Sequence, residues 1–104
     1  MRTYRQGDVI ICAIEERPDG EWTLKPDLVL AEGEITGHCH RITQGKAELQ
    51  INALLGLMIL KVISEQAILS HEEHQEIILP MGEYTVRRQR EWDWYKEEVR
   101  RVAD

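Results

Sequence analysis

The sequence contains no phenylalanine, and only two cysteines and three prolines in 104 residues. Aromatic bulk therefore falls to Trp22, Trp92, Trp94, Tyr4, Tyr84 and Tyr95, and a core must be built chiefly from aliphatic side chains. Cys12 and Cys39 form no repeat or paired motif, which argues against a disulfide framework, and both thiols are expected to stay free in a reducing cytoplasm. Long apolar runs are missing as well. The longest, Ala53 to Leu60, is broken by Gly56 and is too short to span a bilayer. Met1-Arg2-Thr3-Tyr4-Arg5 leads into a polar turn instead of an apolar segment, so neither a secretory leader nor a membrane partner is expected. GxSxG, a phosphate loop and HExxH are absent, which removes the common hydrolase, NTPase and metalloprotease readings.

Positive charge is also scarce: 13 Lys and Arg face 19 Asp and Glu, a net charge of −6. Such a surface repels phosphate backbones at long range, which counts against general nucleic-acid binding. The imbalance is uneven. Residues 84–104 hold six basic and five acidic side chains (net +1), while residues 1–83 hold seven and fourteen (net −7).

What remains is enough for one domain over residues 1–104, since hydrophobic residues make up 42% and charged residues 31%. Short β-type runs separated by turn residues dominate. Val9 to Ile14 reads as a buried strand introduced by Gly7-Asp8, and Arg17-Pro18-Asp19-Gly20 as a turn. Strands are expected around Leu28 to Glu32 and Gly37 to Thr43, with Gln44-Gly45-Lys46 as a hairpin turn into Ala47 to Ile51. Leu57 to Ile63 is the best buried strand, and Pro80-Met81-Gly82 reads as a turn joining Ile77-Ile78-Leu79 to Glu83–Glu91. Only the tail reads as helix, about 93–103: Asp93 is its N-cap, and Tyr95, Val99 and Val102 share a face. The expected fold is mainly β, a small barrel or sandwich with a short C-terminal α-helix.

All four histidines fall in two motifs, His38-Cys39-His40 and His71-Glu72-Glu73-His74. On a strand His38 and His40 point the same way, with Ile42 continuing the phase inward and Cys39 opposite. Two neutral imidazoles side by side suit a divalent metal of unspecified identity. His71 and His74 converge only if their segment makes a tight turn, for which Ser70 is a fair cap. The candidate metal ligands are thus His38, His40, His71 and His74. Glu72 and Glu73 are placed to orient an imidazole or to act as acid or base. The plain alternative is a polar loop at residues 70–76 with no shared site.

His38-x-His40 followed by Pro80-x-Gly82 resembles the layout of the cupin superfamily, which implies a metal held inside a small barrel. Gln44, Gly45 and Thr85 stand where that layout has its glutamate and later histidine, so His71 or His74 would substitute. More of the chain resembles a family of short, uncharacterised bacterial proteins. The shared features run from Tyr4-Arg5-Gln6-Gly7-Asp8 through Gly37-His38-Cys39-His40 and His71-Glu72-Glu73-His74 to Leu79-Pro80-x-Gly82-x-Tyr84-x-Val86 and Gln89-Arg90-Glu91. That resemblance implies no activity.

Arg88 and Arg90 continue the face of Tyr84 and Val86, where an arginine can hold an anionic ligand or simply pair with acidic side chains. Trp92 and Trp94 beside these arginines suit either helix docking or stacking on single-stranded RNA. Three expectations follow. The first is a cupin-like protein using a divalent metal for small-molecule binding or metal-assisted chemistry, with His38, His71, Glu72 and Arg88 as candidate catalytic groups. The second is a metal-independent ribonuclease or RNA-binding protein using paired histidines and the C-terminal arginines. The third is a non-catalytic assembly protein. Self-association into a homo-oligomer goes with all three, because small sheets commonly cover their edges this way.

Overall fold

The computed structural model describes residues 2–33 and 35–89, and every element in its order is a β-strand. In chain order these are β1 (Thr3–Gln6), β2 (Val9–Ile14), β3 (Thr23–Leu24), β4 (Val29–Glu32), β5 (Cys39–Gln44), β6 (Ala47–Asn52), β7 (Leu57–Ser70) and β8 (Ile77–Arg88). The expected helix over about 93–103, Arg90, and both Trp92 and Trp94 lie outside the described residues.

The strands form one antiparallel sheet in the order β1-β2-β8-β7-β5-β4, with β6 also paired to β7 and β3 to β6. β1 and β2 meet at a two-residue turn, Gly7-Asp8, in which Gln6 pairs with Val9. Gly7 has φ +59 and Asp8 does not have positive φ, the pattern of a type II′ hairpin whose first central residue is glycine. β1 escaped the sequence reading because Thr3-Tyr4-Arg5-Gln6 carries no apolar alternation.

β7 and β8 are the long strands and form the spine, paired from Ile59↔Thr85 to Leu69↔Ile77 with a bulge between Val62 and Gln66. Two expected turns are overturned here. Pro80-Met81-Gly82 is no turn, because β8 runs through it unbroken; Pro80 faces Gln66 at the edge of that bulge, where a residue without an N–H is tolerated. The real β7–β8 connection is the histidine loop at 71–76. Gln44-Gly45-Lys46 is likewise no hairpin. β5 and β6 follow one another along the same side of β7, with Ile42↔Leu69 in one and Leu49↔Leu60 in the other. The glycine is still required: Gly45 has φ +92, and a Cβ there would stand 2.5 Å from the Gln66 carbonyl oxygen and 2.8 Å from Ala67 Cα. Gly45→Ala is therefore expected to cost about 1–3 kcal/mol, read as a lower urea midpoint with an unchanged slope.

The core gathers Val9, Ile11, Leu30, Ile42, Leu49, Leu60, Val62, Ala67, Leu69, Leu79 and Tyr84, drawn from six strands of the single sheet. Among the described residues the elements that carry this apolar face are all strands, and the sheet twist lets it pack on itself. Among the described residues β1 and β4, the two ends of the order, are not hydrogen-bonded to each other, so the sheet is open and the closure that the expected small barrel needs is not seen. Side chains span the seam instead: Arg88 Nη2 of β8 donates to the Glu32 carbonyl of β4, and Gln6 of β1 meets His40 of β5.

Candidate functional site

The seam is where the two histidine motifs come together. β5 begins at Cys39, so His38 stands just before the strand and His40 is its second residue. His38 N–H donates to the Ile35 carbonyl and Gly33 N–H to the His38 carbonyl, which closes the loop between β4 and β5. A Cβ on Gly33 would lie 2.9 Å from that carbonyl and 3.2 Å from His71 Nε2, so a bare backbone lets the second motif approach. Gly7 does the same from the other side, where a Cβ would stand 2.6 Å from His74 Nε2.

The loop at 71–76 is shaped by its own polar groups. Glu73 N–H donates to His71 Nδ1 at 3.0 Å. Glu72 reaches across to accept the Cys39 N–H at 2.8 Å, which pins the loop to β5 and holds the Glu72 carboxyl below its ordinary range. Ser70 is not a helix cap: it ends β7, bonded to Thr43 and Glu76. As a result ring centroids lie 4.2 Å apart for His40–His71, 4.6 Å for His71–His74, 5.9 Å for His40–His74 and 6.0 Å for His38–His71. The rings of all four histidines thus come together at one place.

They line an open cleft of about 550 Å³ together with Gly7, Asp8, Gly33, Ile35, Glu73 and Gln89. Neither Lys nor Arg is among the described residues that line it. Among the described residues, no group of three or more His, Cys, Asp or Glu donors is set to hold a metal ion in this arrangement. Glu72, tied to Cys39, does not line the cleft, and Glu73 does, 3.2 Å from His38 Nδ1. Arg88 does not line the cleft; its Nε lies 3.6 Å from Asp8 Oδ2 and its Nη2 donates to the Glu32 carbonyl, an arrangement that matches the ion-pairing alternative. Cys39 is buried and does not line the cleft, in keeping with a packing role.

His40 differs from the other three by its burial, at 1% exposure. Burial first, then the neighbouring His71, His74 and Arg88, outweigh the carboxylate of Asp8 and hold its pKa down at about 4. At neutral pH it is an uncharged imidazole. Its Nδ1 lies 2.9 Å from Gln6 Oε1, and its Nε2 lies 3.5 Å from Asp8 Oδ1.

Gln6 and Asp8 are the members of the site that the histidine spacing did not reveal. Their partners are 34 residues away or more in the case of Gln6, and one glutamine in a polar segment carries no periodic signal. The available clue was local: Gly7-Asp8 between two short runs is a hairpin signature, and a hairpin there puts both side chains at one end of the sheet.

No helix among the described residues is long and apolar enough to cross a membrane. No curated protein and no solved structure matches the chain. A family model matches residues 5–89, a span that includes Gln6, Asp8, both histidine motifs and Arg88. With the match covering most of its length, the chain belongs to the family described as a domain of unknown function (DUF8820).

Proposed function

We propose that the protein holds a divalent metal ion in the four-histidine cleft and uses it for small-molecule binding or metal-assisted chemistry. The observation that carries this reading is the chemistry of the lining: among the described residues it brings together four imidazoles and the carboxylates of Asp8 and Glu73. Such a surface attracts a cation and offers nitrogen and oxygen donors that suit zinc, iron, manganese or nickel. Binding requires the loop at 71–76, whose side chains are largely exposed, to draw His71 and His74 towards His40. The parallel with cupins is one of ligand chemistry, an HxH pair completed by a histidine from a distant segment.

The second reading, metal-independent cleavage or binding of RNA, draws on the paired histidines of the two motifs, which line the same cleft. The lining weighs against it, since a phosphate would meet two carboxylates, while Arg88 is occupied by Asp8 and Glu32. Self-association over the edges of β1 or β4 is compatible with both.

The test is elemental analysis of untagged protein purified without chelators or nickel resin. Near-stoichiometric metal is expected in the wild type, and its loss in His38→Ala and in His71→Ala, variants from the two different segments. Metal content unchanged in both folded variants would sink the reading, and RNA cleavage that persists in EDTA would replace it.

A further inference from the structure

Gln6 is a polar side chain with only 2% of its surface exposed, and each end of its amide is engaged. Its Nε2 donates to the Leu69 carbonyl and to the Gln75 carbonyl, each at 3.0 Å. Two acceptors on one atom identify it as the NH₂ group, because turning the amide over would set its oxygen against two carbonyl oxygens. The oxygen must then be the atom facing His40 Nδ1 at 2.9 Å. A carbonyl oxygen can only accept, so Nδ1 must carry the proton. The opposite tautomer would press a nitrogen lone pair against the amide oxygen inside a buried site, where an unmade hydrogen bond is expensive.

We infer that Gln6 is a positioning residue that fixes His40 as the Nδ1–H tautomer and so presents the bare Nε2 lone pair to the cleft. Asp8 is the competitor for that proton. Its Oδ1 lies 3.5 Å from Nε2, longer than a good hydrogen bond, and its other oxygen faces Arg88. With Gln6 in place the proton stays on Nδ1. Without it, Asp8 draws the proton to Nε2 and caps the one lone pair available for a ligand. The same amide ties β1 to β7 and to the histidine loop, so the group that selects the tautomer also anchors the loop carrying His71 and His74. Its value to the protein rests on the metal reading above, whereas the tautomer itself does not.

The experiment is a long-range ¹H–¹⁵N correlation spectrum of metal-free, ¹⁵N-labelled protein at mildly alkaline pH, which shows which imidazole nitrogen carries hydrogen. The wild type is expected to show His40 protonated at Nδ1 and bare at Nε2. Gln6→Met, close in size but without donor or acceptor, is expected to move the proton wholly or partly to Nε2. Nε2–H in the wild type would overturn the inference, and so would a folded Gln6→Met that keeps Nδ1–H. Should that variant fail to fold, the wild-type spectrum still decides, and Asp8→Asn on the opposite nitrogen is expected to leave Nδ1–H in place. A change of tautomer in Asp8→Asn would assign the orienting role to Asp8 instead. Zinc titration of the wild type reports separately: no binding alongside an Nδ1–H spectrum would remove the metal reading and leave the role of Gln6 standing.

Discussion

Acidifying the metal-free protein from pH 6.5 to about 4 is expected to remove about 3 kcal/mol of stability through His40 alone. The sign follows from linkage. The folded pKa of about 4 lies below the model value of 6.5, so between them the unfolded chain binds a proton that the folded one refuses. Stability is complete above 6.5, declines as pH falls, and levels off below about 4. Two surface carboxyls, Asp27 and Glu72, also have lowered values, but their ordinary pKa values of 3.8 and 4.5 place their losses at the acid end. The contribution of His40 therefore falls in the upper part of the window, from 6.5 down to 4.5, above those of Asp27 and Glu72. Urea titrations at several pH values measure the loss, and His40→Gln should flatten the curve in that interval. Imidazole NMR supplies the direct check, and a His40 that titrates near 6.5 would contradict this account.

The second large effect is expected at Leu69, which has no exposed surface. It lies between Ile42 of β5 and Ile77 of β8 in the sheet, and its carbonyl accepts one of the Gln6 hydrogen bonds. Leu69→Ala removes aliphatic bulk from the core and leaves a cavity that a β-sheet at this position cannot easily collapse. The expected cost is about 2–5 kcal/mol, measured by urea unfolding. Leu54→Ala is the matching control: Leu54, at the β6–β7 turn, is 94% exposed, and the change should stay within about 0.5 kcal/mol. Equal losses at the two positions would refute the assignment of the core. Because Leu69 immediately precedes Ser70 and the histidine loop, its loss should also weaken metal uptake, whereas Leu54→Ala should leave it unchanged.

The parts of the fold that could be read from the sequence were those with strong apolar patterning. Val9 to Ile14 and the first half of β7 announce buried strands, and the strand expected around Leu28 to Glu32 differs from the observed β4 by one residue at its start. The errors came from punctuation. Gly45 and Pro80-Met81-Gly82 look like turns, yet here they serve a close backbone approach and a bulge, and only the pairing partner distinguishes the two uses. β3, with two residues, is too short to carry a pattern, and β1 is polar. Closure was also hidden, because whether the ends of a sheet bond to each other depends on strand tilt and stagger that no local pattern records.

The histidines were legible because imidazole is a chemically marked side chain, and here every copy falls in two short motifs. That the motifs share one cleft was not legible, since this depends on β5 and the β7–β8 loop meeting at the seam. Gln6 was invisible for a related reason. Its importance comes entirely from three partners on distant segments, and nothing about a lone glutamine distinguishes a buried hub from a surface side chain. Arg88 was found by phase along β8, but the phase did not show that Asp8 and Glu32 would occupy it.

The measurement that tests the central claim most directly is a zinc titration of the ¹⁵N-labelled wild-type protein, followed through the imidazole signals. This account predicts that signals from His40 on β5 and from His71 and His74 in the loop move together and saturate at stoichiometric zinc. Shifts confined to the exposed loop histidines, or no saturation at all, would contradict it.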